Sequence, residues 1–184
     1  MHQLILASAS PRRRELLSQA GYTFEVAPAH IDETRRPNED PSAYVARLAL
    51  EKAQAIHAQH PDAIVLGAAT TVVLNGEVLN KPADLAEAEK MLRALSGQTH
   101  QVHTGIAVVS STTQRSHVET TNVFFAPIPE EDLSIYLATR DSLDKAGAYG
   151  IQGYAARWIP RIEGDYFNVM GLPVAATVRL LTHQ

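Results

Sequence analysis

The chain contains no cysteine. That excludes disulfides, thiolate zinc sites and cysteine nucleophiles. It also has no basic excess: 16 Lys and Arg stand against 20 Asp and Glu, for a formal net charge of −4. General nucleic-acid and membrane-surface binders need a basic face, so neither partner is expected. Aromatic residues make up only 6% and are not interleaved with basic ones, which further disfavours nucleic acid. Long hydrophobic runs are missing too. The N-terminal stretch Leu4 to Ala9 is too short for a signal peptide or a membrane span, and a cytoplasmic location is expected. No internal repeat, low-complexity segment or linker is visible. No H-E-x-x-H occurs. The glycines at 147, 150 and 153 miss the G-x-G-x-x-G spacing and follow no strong strand, so a dinucleotide fingerprint is absent.

What is present describes a globular chain. The 184 residues are 45% apolar and 20% charged, which suits one domain or two small lobes with a sizeable core. Leu4 to Ala7 reads as a buried strand, followed by a helix over 11–20 that Gly21 ends. A second strand is expected at Phe24 to Ala27, then an irregular polar segment over 30–40. Asp40 and Pro41 predict the start of a long helix to about His60. Its apolar stripe runs through Val45, Leu48, Ala49, Ala53 and Ile56, broken by Lys52. Ala63 to Leu74 is a 12-residue stretch without charge, and Asn75-Gly76 predicts a tight hairpin into 77–79. Helices are expected over 84–95, 129–139 and 173–182. An antiparallel pair is expected at 102–109 and 118–126. Helices mixed with hairpins favour an α/β fold with a mixed sheet flanked by helices over a purely parallel Rossmann sheet.

Ser8 to Arg14 joins a strand to a helix. Ser10 suits the N-cap and Pro11 the first turn, which leaves Arg12, Arg13 and Arg14 facing the positive end of the helix dipole. Cations fit there if an anion shares the site, and phosphate does so through free amides, hydroxyls and guanidinium forks. The alternative is a solvated basic turn paired to Glu15 or another acid. Lys52 either snorkels to solvent or reaches a buried anion. Asp32 and Glu33 are either a solvated loop pair or hard-oxygen ligands for Mg²⁺ or Mn²⁺. Lys81, held extended by Pro82, is equally readable as a surface loop residue.

Taken together, six segments in order resemble the Maf family of nucleoside triphosphate pyrophosphatases: LASASPRRRELL (6–17), IDETRRPNEDPSAYVARLALEKA (31–53), VLGAATTVVLNGEVLNKPAD (65–84), LSGQTHQVHTGIAV (95–108), DKAGAYGIQG (144–153) and GDYFNVMGLP (164–173). The resemblance covers nearly the whole chain. It implies one Maf-like domain over 1–184, with two lobes around a central cleft, similar to the inosine triphosphate pyrophosphatases. It implies hydrolysis of a nucleoside triphosphate to monophosphate and pyrophosphate with Mg²⁺ or Mn²⁺, and a homodimer. Ser8, Ser10 and Arg13 would hold phosphates, Glu33 would help bind metal, and Lys52 and Lys81 would neutralise developing charge. Arg12, Thr70 and Gln152 look like the branch acting on dTTP and UTP. The branch acting on 7-methyl-GTP is disfavoured, since it resembles a form with Trp at position 12, which would stack on a cationic base.

One position departs from the family pattern. Residues 67–71 read Gly67-Ala68-Ala69-Thr70-Thr71, and Ala69 stands where the resemblance places the proton-accepting aspartate. Alanine can neither accept a proton nor bind a metal. Because Lys52, Lys81 and Glu33 still match, the change reads as recent or deliberate. The expectation is a chain that binds dTTP or UTP and turns it over poorly. The alternative is a non-catalytic nucleotide-binding regulator of cell division.

Overall fold

The structure, a computed structural model, describes residues 3–182. Its elements are, in order, β1 (Leu4–Leu6), α1 (Pro11–Gln19), β2 (Glu25–Val26), α2 (Pro41–His57), β3 (Ile64–Leu74), β4 (Glu77–Leu79), α3 (Leu85–Leu95), β5 (Thr99–Val109), β6 (Gln114–Phe124), α4 (Glu130–Thr139), β7 (Arg161–Glu163), α5 (Tyr166–Met170) and α6 (Val174–Thr182). Three 3-10 turns lie between α4 and β7, at 141–144, 146–148 and 154–158. The strands form one seven-stranded sheet in the order β2-β1-β3-β5-β6-β7, with β4 paired to β3. β1 is parallel to β2 and β3, while β3–β4 and β6–β7 are antiparallel. β5 and β6 are joined only by residues 110–113, too short for a crossover, so they form a hairpin. The sheet is mixed and the fold is α/β, as the pattern of hairpins and helices indicates. Among the described residues no helix is long and apolar enough to cross a membrane.

The local chemistry explains the boundaries. Ser10 accepts from the Arg13 amide and Pro11 opens α1. Asp40 Oδ1 accepts from the amides of Ser42 and Ala43 at 2.9 and 3.3 Å and caps α2. Asn75 and Gly76, with φ of 51° and 84°, make the β3–β4 turn in the conformation that this dipeptide favours. Several expected limits shift. α2 stops at His57 rather than His60, where the His57 Nδ1 meets the Ala63 carbonyl at 3.1 Å and ties the helix end to the next turn. β2 is confined to Glu25–Val26, and β5 and β6 start earlier than 102 and 118 because hairpin pairing extends them through polar residues.

The chain divides into two compact units. One comprises residues up to 70, 104–119 and from 171 onward; the other comprises 71–103 and 120–170. The first unit has an alanine-rich core: Ile5, Ala7, Ala49, Ala53, Ile56, Ala63, Val65, Ala107 and Val109. Small residues there let α2 lie directly on the strands. A Cβ at Gly67 would stand 2.1 Å from the Ala49 carbonyl oxygen, and one at Gly105 would stand 2.3 Å from that of Val45.

The second unit has an aromatic core in which Phe125, Tyr136, Tyr149 and Trp158 pack on Leu92 and Leu95. His100 is buried within it, 2.7 Å from the Tyr149 hydroxyl through Nε2. Its Nδ1 has no hydrogen-bond partner among the described residues. Burial lowers the His100 pKa from 6.5 to about 4. In the unfolded chain the ring titrates near 6.5, so between those values the unfolded state holds a proton that the folded state does not. Stability is therefore expected to fall as pH drops from about 6.5 to about 4, by on the order of 3 kcal/mol, and to level off below. Urea midpoints at pH 7 and pH 4.5 check this. The same pH drop should cost His100→Gln clearly less; an equal loss in both proteins would remove His100 as the cause.

Candidate functional site

The first unit brings most of the expected residues together around the turn between β1 and α1. Ser8 is buried, and its Oγ accepts from the Ser10 amide at 3.3 Å and from Arg13 Nη1 at 3.1 Å. The Arg13 side chain turns back from the first turn of α1. Its Nε donates to the Gly171 carbonyl at 2.8 Å and its Nη2 to Thr70 Oγ1 at 3.0 Å. Thr70 Oγ1 lies 2.8 Å from Thr104 Oγ1, which is fully buried. Thr70 Oγ1 also lies 3.5 Å from the Gly171 carbonyl, so its one proton can go to that oxygen or to Thr104. The guanidinium is thus oriented by three segments far apart in sequence, through Ser8, Thr70 and Gly171.

The electrostatics of this arrangement are unusual. The oxygens that accept from Arg13, those of Ser8, Thr70 and Gly171, are all neutral. Burial, and after it the neighbouring Arg12, lower its pKa from 12.5 to about 10 against an opposing pull from Glu33. Arg13 stays protonated at neutral pH. A partly desolvated cation at the amino end of a helix, without a carboxylate on its fork, is receptive to an anion. This favours the anion reading of Ser8 to Arg14 over the solvated-turn reading. Arg14 is exposed, and Arg12 is half-buried beside Arg13.

Lys52 stands on the buried stripe of α2 and does not snorkel to solvent. Its Nζ meets Glu33 Oε2 at 3.0 Å. The Glu33 side chain is 54% exposed and that of Lys52 11%, so the pair opens on the Glu33 side. Ala69 is buried in β3. Side chains alternate along a strand, so residue 69 shares a sheet face with Gly67. That face is the one covered by α2 near Ala49 and Ala53, the helical turn from which Lys52 rises.

The second unit holds Lys81 and Gln152. Lys81 is exposed, just after β4, and has no ion-pair partner among the described residues. The preceding residue, Asn80, accepts from the Thr71 hydroxyl at 2.9 Å, and its carbonyl accepts from the Gly147 amide at 3.3 Å. That ties the segment carrying Lys81 to the glycine-rich segment carrying Gln152. Gln152 is exposed, near Gly150 and the stem of Lys145. Two residues of the Arg13 cluster escape sequence reasoning: Thr104 and Gly171. Thr104 does not stand out, because it is one of several polar residues in the first half of β5, and Gly171 acts through its carbonyl, which leaves no sign in residue type.

Fold and site together define a mixed-sheet α/β protein with an anion-receptive strand–helix turn and a lysine–carboxylate pair beside it. The chain belongs to the Maf family: the family model described as Maf-like protein matches residues 3–184. It is 54% identical over 182 residues to a protein of Symbiobacterium thermophilum named dTTP/UTP pyrophosphatase, covering 99% of this chain and 94% of that one. A protein of the same name from Koribacter versatilis is 51% identical over 178 residues, covering 97% of this chain and 92% of that one. Among solved structures, a HAM1 protein from Coxiella burnetii is similar in fold over 100% of both chains, with a TM-score of 0.56 at 16% identity.

Proposed function

We propose that the chain binds dTTP and UTP as a nucleoside triphosphate pyrophosphatase of the Maf type, and that it turns them over poorly because Ala69 supplies no carboxylate. The bond cleaved is the phosphoanhydride between the α- and β-phosphorus atoms, leaving a monophosphate and pyrophosphate. Arg13 carries the reading, as a partly desolvated cation held by three neutral oxygens at the start of α1. Phosphate oxygens would complete its coordination, with Ser8 and Ser10 lining the same turn. Lys52 and Lys81 would offset charge on the triphosphate as the bond breaks. Arg12, Thr70 and Gln152 would select the base. The names of relatives about half identical over nearly their full length support the substrate pair.

Mg²⁺ or Mn²⁺ belongs to the proposal. The described residues contain no group of three or more His, Asp or Glu placed to hold a metal. Glu33, a carboxylate more than half exposed, would be the residue to hold a cation carried in on the triphosphate. When bound, the metal draws charge from the phosphate oxygens. A homodimer and a cytoplasmic location complete the proposal.

Calorimetric titration tests the substrate class directly. Kd for dTTP and UTP is expected at least about tenfold below that for 7-methyl-GTP and for sugar phosphates, and Arg13→Met is expected to weaken triphosphate binding about tenfold or more. Equal affinity for sugar phosphates would replace the nucleotide reading. Ala69 also favours a second reading, a nucleotide-binding regulator without turnover, which predicts the same binding and no hydrolysis from any variant at position 69.

A further inference from the structure

Residues 27–40 form no helix or strand, yet they carry Glu33. An irregular segment holds a side chain in place only where its backbone is tied to a rigid element. Two side chains of α2 provide that tie. The buried Tyr44 donates its hydroxyl to the Glu33 carbonyl at 2.8 Å. Arg47 donates from Nη2 to the Thr34 carbonyl at 3.1 Å.

Arg47 is in turn fixed. Glu39 grips it as a fork, Nε to Oε1 at 2.6 Å and Nη2 to Oε2 at 2.8 Å, and Glu51 accepts from Nη1 at 3.1 Å. The Arg47–Glu39 side chains are only 14% and 10% exposed, and the guanidinium lies 5.7 Å from the Tyr44 ring centroid. A shielded, bidentate pair contributes more than an open surface pair. The arginine's hydrogen bonds and charge hold the Glu39 carboxyl down to about 2. Glu39 stays ionised at any pH where the site operates.

Residues 44, 48 and 52 recur at the spacing of one helix face, and 47 lies beside them. α2 therefore supplies both the ammonium that meets the Glu33 carboxylate and the two groups that fix the Glu33 main chain. The Glu33 side chain itself is more than half exposed. We propose that Tyr44 and Arg47 are positioning residues, which clamp the main chain at Glu33 and Thr34 so that the Glu33 carboxylate stays on Lys52. The functional weight of that clamp rests on the nucleotide-binding reading above.

A double-mutant cycle on UTP affinity, measured with Mg²⁺ present, tests the clamp. Tyr44→Phe, which deletes one oxygen and keeps the ring, and Arg47→Gln are each expected to change Kd about fivefold, in the direction that Glu33→Gln changes it. With Glu33→Gln already present, each is expected to change Kd by less than about twofold. A general packing defect would act equally in both backgrounds.

A second cycle needs no nucleotide. Glu33→Gln and Lys52→Met are expected to couple by about threefold in the urea-unfolding constant. That coupling should vanish once Arg47→Gln or Tyr44→Phe is added. Additive Kd changes, or a Lys52–Glu33 coupling that survives both clamp variants, would overturn the proposal. If the chain binds neither UTP nor dTTP while the coupling still collapses, the nucleotide reading fails and the clamp stands.

Discussion

Ala69→Asp is expected to raise pyrophosphate release from dTTP and UTP by about 10²- to 10⁴-fold, the range by which a positioned general base accelerates proton transfer. The argument is one of placement. Residue 69 is buried in β3 on the face that α2 covers, where Lys52 and its partner Glu33 meet at 3.0 Å. A carboxylate introduced there would be costly to bury alone, but the lysine gives it a charged neighbour. It would add a second carboxylate to a site whose first, Glu33, is engaged by Lys52, and so a further group able to accept a proton from water. The measurement is release of pyrophosphate under saturating nucleotide and Mg²⁺, for this chain and for the variant side by side. Binding of UTP should change far less than turnover. A variant that binds UTP yet hydrolyses no nucleoside triphosphate would leave the regulator reading in place.

The other large effect concerns stability. Gly67→Ala and Gly105→Ala are each expected to destabilise the chain by about 3–5 kcal/mol, above the ordinary range for overpacking. The new methyl group would overlap α2 backbone, at 2.1 Å from the Ala49 oxygen or 2.3 Å from the Val45 oxygen. A flexible side chain could swing away; a helix backbone moves only as a unit. For a chain of this size the melting temperature should drop by roughly 10 °C or more. Gly153→Ala is the control: its nearest neighbour would be 3.6 Å away, and no shift beyond about 0.5 kcal/mol is expected. If all three variants melt together, close approach of α2 is not what these glycines provide. Because α2 also carries Lys52, Tyr44 and Arg47, nucleotide affinity should fall with the two destabilised variants.

Much of this arrangement is legible in the sequence because its causes are local. Ser10-Pro11, Asp40-Pro41 and Asn75-Gly76 state their caps and turn in adjacent residues, and the structure has them where they were expected. Lys52 announced itself as the polar break in an apolar stripe. What escaped has distant causes. β7 alternates without an apolar pattern, with only Ile162 half-buried, and becomes a strand by pairing with β6. α5 is five residues long and too short to show a period. The turn at Gly147 and Ala148, both with positive φ, is held by Val72 packing and by the Tyr136 hydroxyl on the Ala148 carbonyl at 3.0 Å. The Arg13 cluster shows the same limit, since its guanidinium reaches a carbonyl 158 residues away.

That reach has a consequence for how the protein is made. Arg13 leaves the ribosome 158 residues ahead of Gly171, whose carbonyl orients it. The unit that contains both is assembled from residues up to 70, from 104–119 and from 171 onward. A nascent chain that has not yet reached Gly171 holds an arginine with one of its three orienting oxygens missing. The anion site is therefore finished only once Gly171 has been made, and cutting the chain short before residue 171 would unmake it 158 residues away.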